Sequence, residues 1–570
     1  MRILFLTHSF NSLTQRLFVE LTRRGHDISI ELDINDMVSI QAAERFQPAL
    51  IIAPFLKRAI PEVIWRKHPC FIVHPGIIGD RGPSALDWAI MNEYPEWGVT
   101  VLQANAEMDA GDIWSAETFP MRQAKKSSLY RNEVVDAAVR SVLTAVKHFA
   151  AGSFKPQPLD YANPTVRGQL HEPMRQTNRA INWQQDSSHV ILKKICAADG
   201  FPGVLDTLFG EPYYLFDACI EGQLSGKPGA IIAKRNNAIC LATVDGAIWI
   251  GHVKRKSSAE SSLKLAATLA LKDHLTNVSE IPLDPFSTNP GETYRDIWFE
   301  QKNAVGYLHF SFYNGAMDTT QCQRLREVYL QATRSDVRVI VLMGGVDFWS
   351  NGIHLNHIEI ADSPADESWR NINAMNDLVQ AIITTDKQLT IAALQGNTGA
   401  GGVFLSLAAD TIYARENVIL NPHYKSMGNL YGSEYWTYLL PKRVGKEEAI
   451  ALTQNRLPIG ALEACKIGLI DDCFALDQTH FKKKITQLAE TLAIHSSYSD
   501  LLQQKNSRRE SDEQQKPLQS YRDEELRQMQ LNFYGFDPSY HVARYHFVHK
   551  IPHSWTPLFL ARHRHQKIRI

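Results

Sequence analysis

Phe71-Ile72-Val73 is a short apolar run that stops at His74-Pro75-Gly76. Such a run makes a buried parallel strand, and Pro-Gly then turns the chain into a loop. The imidazole therefore sits where a strand gives way, and in an open α/β sheet the carboxyl ends of the strands are where ligands bind. A second β-rich run, Gly98 to Gln103, leads into Glu107-Met108-Asp109-Ala110-Gly111-Asp112. That segment holds a carboxylate in a glycine-containing turn. A His and an Asp at two strand ends of one sheet can meet across the crevice. The carboxylate then orients the imidazole and stabilises its charged form. Each segment also reads as plain structure, the first as a turn and the second as a polar loop.

The residues around this pair set up the rest of the sheet. Residues 2–6 read as the first strand, 7–14 as a polar loop, 15–25 as a helix ending at glycine, and 26–32 and 50–54 as further strands. That rhythm predicts a parallel sheet with helices on both faces. No GxGxxG follows the first strand, which argues against a dinucleotide site. Asn11, Thr14, Gln15 and Arg16 lie at the mouth of the expected crevice and read either as helix caps and a solvated face or as substrate contacts. Residues 125–149 read as one helix with a stripe of Val134, Val135, Ala138, Val139, Val142 and Val146. The Pro-rich passage 155–164 reads as a linker or a surface strap. Beyond it, a helix at 186–197 precedes short strands at 213–216, 230–234, 238–242 and 247–252, a pattern that suggests a small open β-barrel. Lys254-Arg255-Lys256 reads either as a solvated basic loop or as a phosphate contact.

With 570 residues the chain has room for three or four cores. A net charge of −1 implies no general polyanion-binding surface. Seven scattered cysteines without a CxxC fit a reduced, cytoplasmic protein. No apolar run of about 18 residues predicts a membrane helix, and MRILFLTHSF reads as a strand rather than a signal peptide.

After a Pro-rich boundary at 275–295 a second chemical unit begins. A strand at 305–310 leads to Tyr313-Asn314-Gly315-Ala316, then a helix at 319–334 and a strand at 337–343. Two loops follow. The first runs Phe348-Trp349-Ser350-Asn351-Gly352-Ile353-His354-Leu355. The second, Gln395-Gly396-Asn397-Thr398-Gly399-Ala400-Gly401-Gly402, opens a helix at 403–409. A glycine loop at a helix amino terminus exposes backbone N–H groups and the positive end of the dipole. One N–H from each loop can grip a thioester oxygen as a main-chain oxyanion hole. Downstream, Asn421-Pro422-His423-Tyr424-Lys425 and Tyr431-Gly432-Ser433-Glu434 offer polar side chains, with Glu434 starting a helix at 434–440 either as a cap or as a catalytic acid. The remainder reads as helices at 479–494 and 522–532, an exposed or mobile charged stretch at 505–516, and a His- and Arg-rich tail at 545–565. The tail lacks metal-ligand spacing and is assigned to contacts with the ligands of the sites.

Taken together, HPGxxxxxRGPxxxxWAI, GVTV and MDAGDI resemble the folate-dependent formyltransferases and formyl-tetrahydrofolate hydrolases. The resemblance implies His74 and Asp109 as catalytic residues, 10-formyl-tetrahydrofolate as donor, and Gln15, Arg81 and Gly111 as folate contacts. The family's Asn falls at Ile72, which cannot donate a hydrogen bond to a formyl oxygen. The stretch INWQQDSSHVILKKICAADGFPGV is similar to the opening of the carboxy-terminal subdomain of methionyl-tRNA formyltransferases. The order from FWSNGIHL through QGNTGAGG is similar to the crotonase (enoyl-CoA hydratase/isomerase) superfamily. It implies Ile353 and Gly401 as oxyanion donors, and Ala316, Asn351, Gly352 and Gly402 as coenzyme A contacts. The two hydratase glutamates are absent: one position is Phe404 and the other falls near His423, which leaves Tyr424 and Glu434 as candidate catalytic groups.

The expected architecture is a multidomain α/β protein: formyltransferase-type sheet (1–175), OB-like subdomain (176–275), crotonase-type spiral (276–500) and helical extension (501–570). This fusion resembles the maturation factors of [NiFe]-hydrogenases. That resemblance implies formyl transfer from the folate to coenzyme A, then decarbonylation of formyl-CoA to CO and CoA. The charge balance, the lack of a long apolar run and the lack of metal-ligand spacing predict no nucleic acid, no membrane and no metal, while the resemblance implies folate and CoA as small-molecule partners and hydrogenase maturation proteins as macromolecular ones. Two rivals stand beside it: a formyl-tetrahydrofolate hydrolase with a degenerate rear half, and a rear half that serves only as a docking module.

Overall fold

A computed structural model describes residues 1–257 and 262–565. By internal contacts the chain divides into two units. One comprises 1–262, 266–280 and 552–570; the other comprises 263–265 and 281–551.

In the first unit, β1 (Arg2–Thr7), β2 (Asp27–Leu32), β3 (Leu50–Ala53), β4 (Cys70–His74), β5 (Glu96–Gln103) and β6 (Ile113–Pro120) form one sheet in the order β2-β1-β3-β4-β5-β6. β1 to β4 run parallel and are nearly wholly buried, as apolar runs covered on both faces must be. The sheet is not parallel throughout: β5 runs antiparallel to both of its neighbours, β4 and β6. A direct β5–β6 connection of nine residues is too short for a crossover helix, so reversal is the only route. The first helix, Ser12–Arg23, starts three residues earlier than periodicity suggested. The Asn11 side chain accepts from the Thr14 N–H and caps it. The predicted helix at 125–149 is interrupted: Lys126–Leu129 passes through a π-turn at Tyr130–Val134 into Val135–Ala151. Such a wide turn often marks a functional position inside a helix.

The Pro-rich passage, whose Tyr161 hydroxyl donates to Gly79 O at 2.9 Å, continues into a strap at residues 168–171. Gly168 N–H donates to Ile78 O at 3.0 Å, Arg81 N–H to Gln169 O at 3.2 Å and His171 N–H to Arg81 O at 3.0 Å. It therefore lies along the loop that follows His74. Beyond it, β7 (Val204–Leu208), β8 (Glu211–Glu221), β9 (Ile231–Arg235), β10 (Ala238–Ala242) and β11 (Ala247–Arg255) make an antiparallel sheet packed on the helix Ser188–Ala198. Residues 556–564 of the tail pack along β2, where Leu32 N–H donates to the Thr556 hydroxyl at 2.9 Å. Leu560 O accepts from Ile30 N–H at 3.0 Å, His563 bonds Ser29 at 2.7 Å and Glu31 at 2.8 Å, and Arg564 pairs with Glu31 at 2.7 Å. Its charges are spent on β2, an edge strand whose free backbone groups call for cover.

In the second unit the strands alternate between two sheets. Ile297–Lys302, Val305–Phe310, Val339–Leu342, Leu389–Leu394, Thr411–Arg415 and Asp472–Phe474 form the larger. Phe348–Ser350, Asn397–Gly399, Ile419–Asn421 and Ile459–Gly460 form the smaller. Each turn of this spiral sends a strand–loop–helix segment past the same end of the core. The charged stretch at 505–516 is neither exposed throughout nor loose. It lies in the helix Tyr498–Gln515, where Lys505 is buried and its ammonium donates to Gln388 O at 2.8 Å and pairs with Asp410 at 2.7 Å. A buried ammonium has to find such partners.

Candidate functional sites

His74 is the last residue of β4 and is 5% exposed. Its Nδ1 stands 3.5 Å from Asp109 Oδ2, so the pair expected from the two motifs does meet. The route differs from the expected one. Because β5 is antiparallel, Gln103 lies beside Phe71 and Thr100 beside His74. The loop 104–112 leaves at the far end of β4 and must fold back for Asp109 to arrive. Asp109 takes a left-handed φ of 52°, and its Oδ2 accepts from the Gly82 N–H at 3.3 Å. Arg81 braces that loop, pairing with Glu107 at 2.7 Å and donating from Nε to Met108 O at 3.0 Å.

A second carboxylate holds the other face of the ring. His74 Nε2 lies 2.8 Å from Asp80 Oδ2, and Asp80 Oδ1 lies 3.1 Å from Nδ1 of His171 on the strap. Burial alone lowers the His74 pKa, but the Asp80 hydrogen bond and the Asp109 charge outweigh it and raise it. Gly76 makes the pair sterically feasible: a Cβ there would fall on Asp80 Oδ2 and 2.5 Å from His74 Nε2. Asp80 stood six residues after His74 in the same motif, yet an Asp in a loop gives no sign of where it points. His171 had no signal at all, since only the strap brings it near.

The residues at the end of β1 make local bonds. Thr14 Oγ1 bonds Thr7, Ser9 O and Asn11; Gln15 Nε2 donates to Phe10 O at 2.9 Å; Arg16 pairs with Glu20 at 2.9 Å. Gly111 packs its backbone on Gln103, whose carbonyl occupies the space a Cβ would need.

In the second unit, Gly352-Ile353 pairs in parallel with Ala316-Met317. Asn351 ties this corner down, its N–H donating to Gly315 O at 2.6 Å and its Nδ2 to Asn314 O at 2.8 Å. The helix after the glycine loop starts at Gly401, two residues before the expected point, so Gly401 and Gly402 lie in its first turn. There backbone N–H groups lack intrahelical partners. A Cβ on Gly352 would come within 3.1 Å of Gly401 N, so the two loops are in contact. A Cβ on Gly402 would lie 2.5 Å from Ser350 C.

Glu434 does not start a helix. The helix is Trp436–Val444, and Glu434 and Tyr435 precede it with left-handed φ of 62° and 58°. Two adjacent non-glycine residues in that region cost about 1–3 kcal/mol each. Hydrogen bonds pin the turn: Glu434 N–H donates to Asn376 Oδ1 at 2.8 Å, Tyr435 N–H to Glu525 Oε2 at 2.9 Å, and Thr437 N–H and Oγ1 to Glu525 Oε1 at 2.8 and 2.6 Å. The strained turn aims the Glu434 carboxyl at the glycine loop. A Cβ on Gly401 would fall on Oε1 and lie 2.8 Å from Cδ. Oε2 accepts from the Tyr424 hydroxyl and from Ser433 N–H. Burial pushes the Glu434 pKa up to about 7, against the lowering effect of those donors. Burial, then the Glu434 charge, raises Tyr424 far above its usual value.

Phe404, where a hydratase carries an acid, is fully buried and stacks on Tyr424 at 5.3 Å. His423 is buried with neither ring nitrogen hydrogen-bonded, and burial pulls its pKa down to about 4, so it is neutral at pH 7. Glu525, raised to about 8 chiefly by burial, was invisible in sequence because Asp523 and Glu524 beside it look the same.

A buried His between two carboxylates at the end of an α/β sheet, and a buried acid set against a glycine-loop helix start in a strand–helix spiral, define a protein of two units, one formyltransferase-like and one crotonase-like in build. Residues 173–267 match the model of the formyl transferase carboxy-terminal domain, and 300–556 match that of the enoyl-CoA hydratase/isomerase family. A methionyl-tRNA formyltransferase of Trichlorobacter lovleyi is 25% identical over 41% of this chain and 72% of its own. The hydrogenase maturation factor HoxX of Bradyrhizobium diazoefficiens is 53% identical over 99% of this chain and 97% of its own. The crystal structure of HypX from Aquifex aeolicus in complex with tetrahydrofolic acid superposes with a TM-score of 0.96 at 47% identity, covering all of both chains. The chain belongs to the HypX/HoxX family of hydrogenase maturation factors.

Proposed function

We propose that this protein makes carbon monoxide for hydrogenase maturation in the cytoplasm. It transfers the formyl group of 10-formyl-tetrahydrofolate to the thiol of coenzyme A, then decarbonylates formyl-CoA. In the first step the thiol sulfur attacks the formyl carbon, the C–N bond breaks, and the thiol proton ends on the folate nitrogen. His74, with Asp109 beside it, carries that proton. In the second step Ile353 and Gly401 N–H groups hold the thioester oxygen. Glu434 takes the formyl proton, the C–H pair remains on carbon, and the C–S pair leaves with sulfur. The proton then returns to the thiolate, giving CO and CoA.

The residues present suit coenzyme A. The Gly352 and Gly401 backbones touch, which brings the main-chain N–H groups of the two loops together for a thioester oxygen, with Ala316, Asn351 and Gly402 around it. One observation carries the reading: a buried acid with a pKa near 7, bonded to a tyrosine, against the amino terminus of the glycine-loop helix. An acid tuned to neutral pH is what general base catalysis needs, and a docking module has no use for it. The test is formyl-tetrahydrofolate with and without coenzyme A, with CO read from the haemoglobin spectrum. CoA-dependent CO is expected. Formate released without CoA, and no CO, would overturn the reading in favour of hydrolysis.

A further inference from the structure

We infer that the working nitrogen of His74 is Nδ1, and that Asp80, its orientation fixed by His171 of the strap, is the positioning residue that leaves this nitrogen free. The inference rests on the formyl-transfer reading for its catalytic consequence, but its geometry stands without it.

The proton positions follow from hydrogen-bond chemistry along one chain of contacts. Gln169 Nε2 lies 3.0 Å from His171 Nε2. A carboxylate oxygen facing a ring nitrogen accepts from it, so His171 holds a proton on Nδ1 and turns Nε2 to the Gln169 amide. That Nδ1–H donates to Asp80 Oδ1 at 3.1 Å. Asp80 Oδ2 is then left to accept from His74 Nε2, at 2.8 Å. With Nε2–H committed to Asp80, the proton that comes and goes is on Nδ1. Two carboxylates face the ring: Asp80 at Nε2, and Asp109 at Nδ1 with a 3.5 Å separation too long for a hydrogen bond. The looser side is the one open to exchange.

The surroundings hold this arrangement in place. Asp80 is 1% exposed and His171 stacks on Trp88 with centroids 5.7 Å apart. The strap is hydrogen-bonded to residues 78–81 on both sides of Asp80. A carboxylate that fixes a histidine tautomer from behind, without itself taking the proton, is the logic of a catalytic triad. In the transfer step His74 Nδ1 takes the proton from the thiol sulfur and returns it to the folate nitrogen, while Nε2–H stays on Asp80 throughout.

Asp80→Asn is the discriminating substitution. His171 Nδ1–H demands an oxygen, so the new amide must turn its NH2 toward His74 Nε2. The His74 proton then moves to Nδ1 and the base is lost. In the full-length protein with 15N-labelled histidine, the His74 signal is identified by its absence in His74→Gln. At a pH high enough that His74 is neutral, above its raised pKa, the single ring proton is expected on Nε2 in the wild type and on Nδ1 in Asp80→Asn. The kcat for formyl transfer falls about 10³- to 10⁴-fold, as for the equivalent tautomer error in a triad, with KM for the folate unchanged. Adding His171→Phe keeps a ring on Trp88 and removes the constraint on the amide, so part of the lost kcat returns. A purely structural Asp80 would not be rescued by a second lesion. A wild-type proton on Nδ1, an unmoved proton in Asp80→Asn, or a double variant no faster than the single would overturn the inference. If instead the wild type forms no formyl-CoA, the transfer reading fails while the tautomer result stands.

Discussion

Replacing Glu434 with Gln separates charge from shape at the second site. In the wild type, Oε2 takes the Tyr424 and Ser433 donors while Oε1 faces Gly401. A Gln amide oxygen can take the Oε2 position and keep both donors, so what disappears is the ionisable group. Burial lifts that group from 4.5 to about 7, a shift worth roughly 3 kcal/mol. Linkage gives the sign. Below pH 4.5 the folded and unfolded chains both carry the proton and the group costs nothing. As pH rises, the unfolded chain releases its proton first, and stability is lost until pH passes the folded value near 7. Glu434→Gln is thus expected to unfold with the wild type at about pH 4.5 and to exceed it by about 3 kcal/mol at about pH 8. The assay is urea unfolding at the two pH values, read as the difference between variant and wild type so that the first unit cancels. The same variant should release no CO from supplied formyl-CoA, because an amide accepts no formyl proton. A stability difference that does not change with pH, or CO output that survives, would refute the reasoning.

Tyr424→Phe keeps the stack on Phe404 but removes a donor that lowers the Glu434 pKa. The acid limb of CO release against pH should move upward from about 7; an unmoved limb would show that Glu434 is not the titrating base. Gly76→Ala puts a methyl 2.5 Å from His74 Nε2 and spreads the His74–Asp80 pair. Formyl transfer should fall about 10²-fold, while CO from supplied formyl-CoA is retained, as coupled and single-step assays will show. Lys505→Met strips Asp410 of its ammonium but leaves it the Thr390 N–H and hydroxyl. A loss of about 2 kcal/mol is expected in the unfolding of the second unit, and a change below about 0.5 kcal/mol would make the helix Tyr498–Gln515 dispensable there.

Much of the chemistry was legible in the chain because it sits at places where local sequence speaks. His74 ends an apolar strand, the glycines around 401 open a helix, and the α/β alternation follows from periodicity. Those features depend on neighbours a few residues away, so the sequence alone settled the fold class and the resemblance of each half to its family. Partners distant in the chain were a different matter. Asp80 and His171 are 91 residues apart, and Glu525 reaches the turn at Tyr435 from 90 residues on. A charged residue in a loop or on a polar helix looks solvated until a tertiary contact buries it. The left-handed pair Glu434-Tyr435 looks like a helix start in sequence for the same reason: local propensity opposes that backbone, and bonds to Asn376 and Glu525 hold it. Sequence thus determined which groups are present and which elements carry them. Tertiary structure decided which carboxylate holds which nitrogen and which acid loses its water, because desolvation and hydrogen-bond direction exist only once distant segments close around a site.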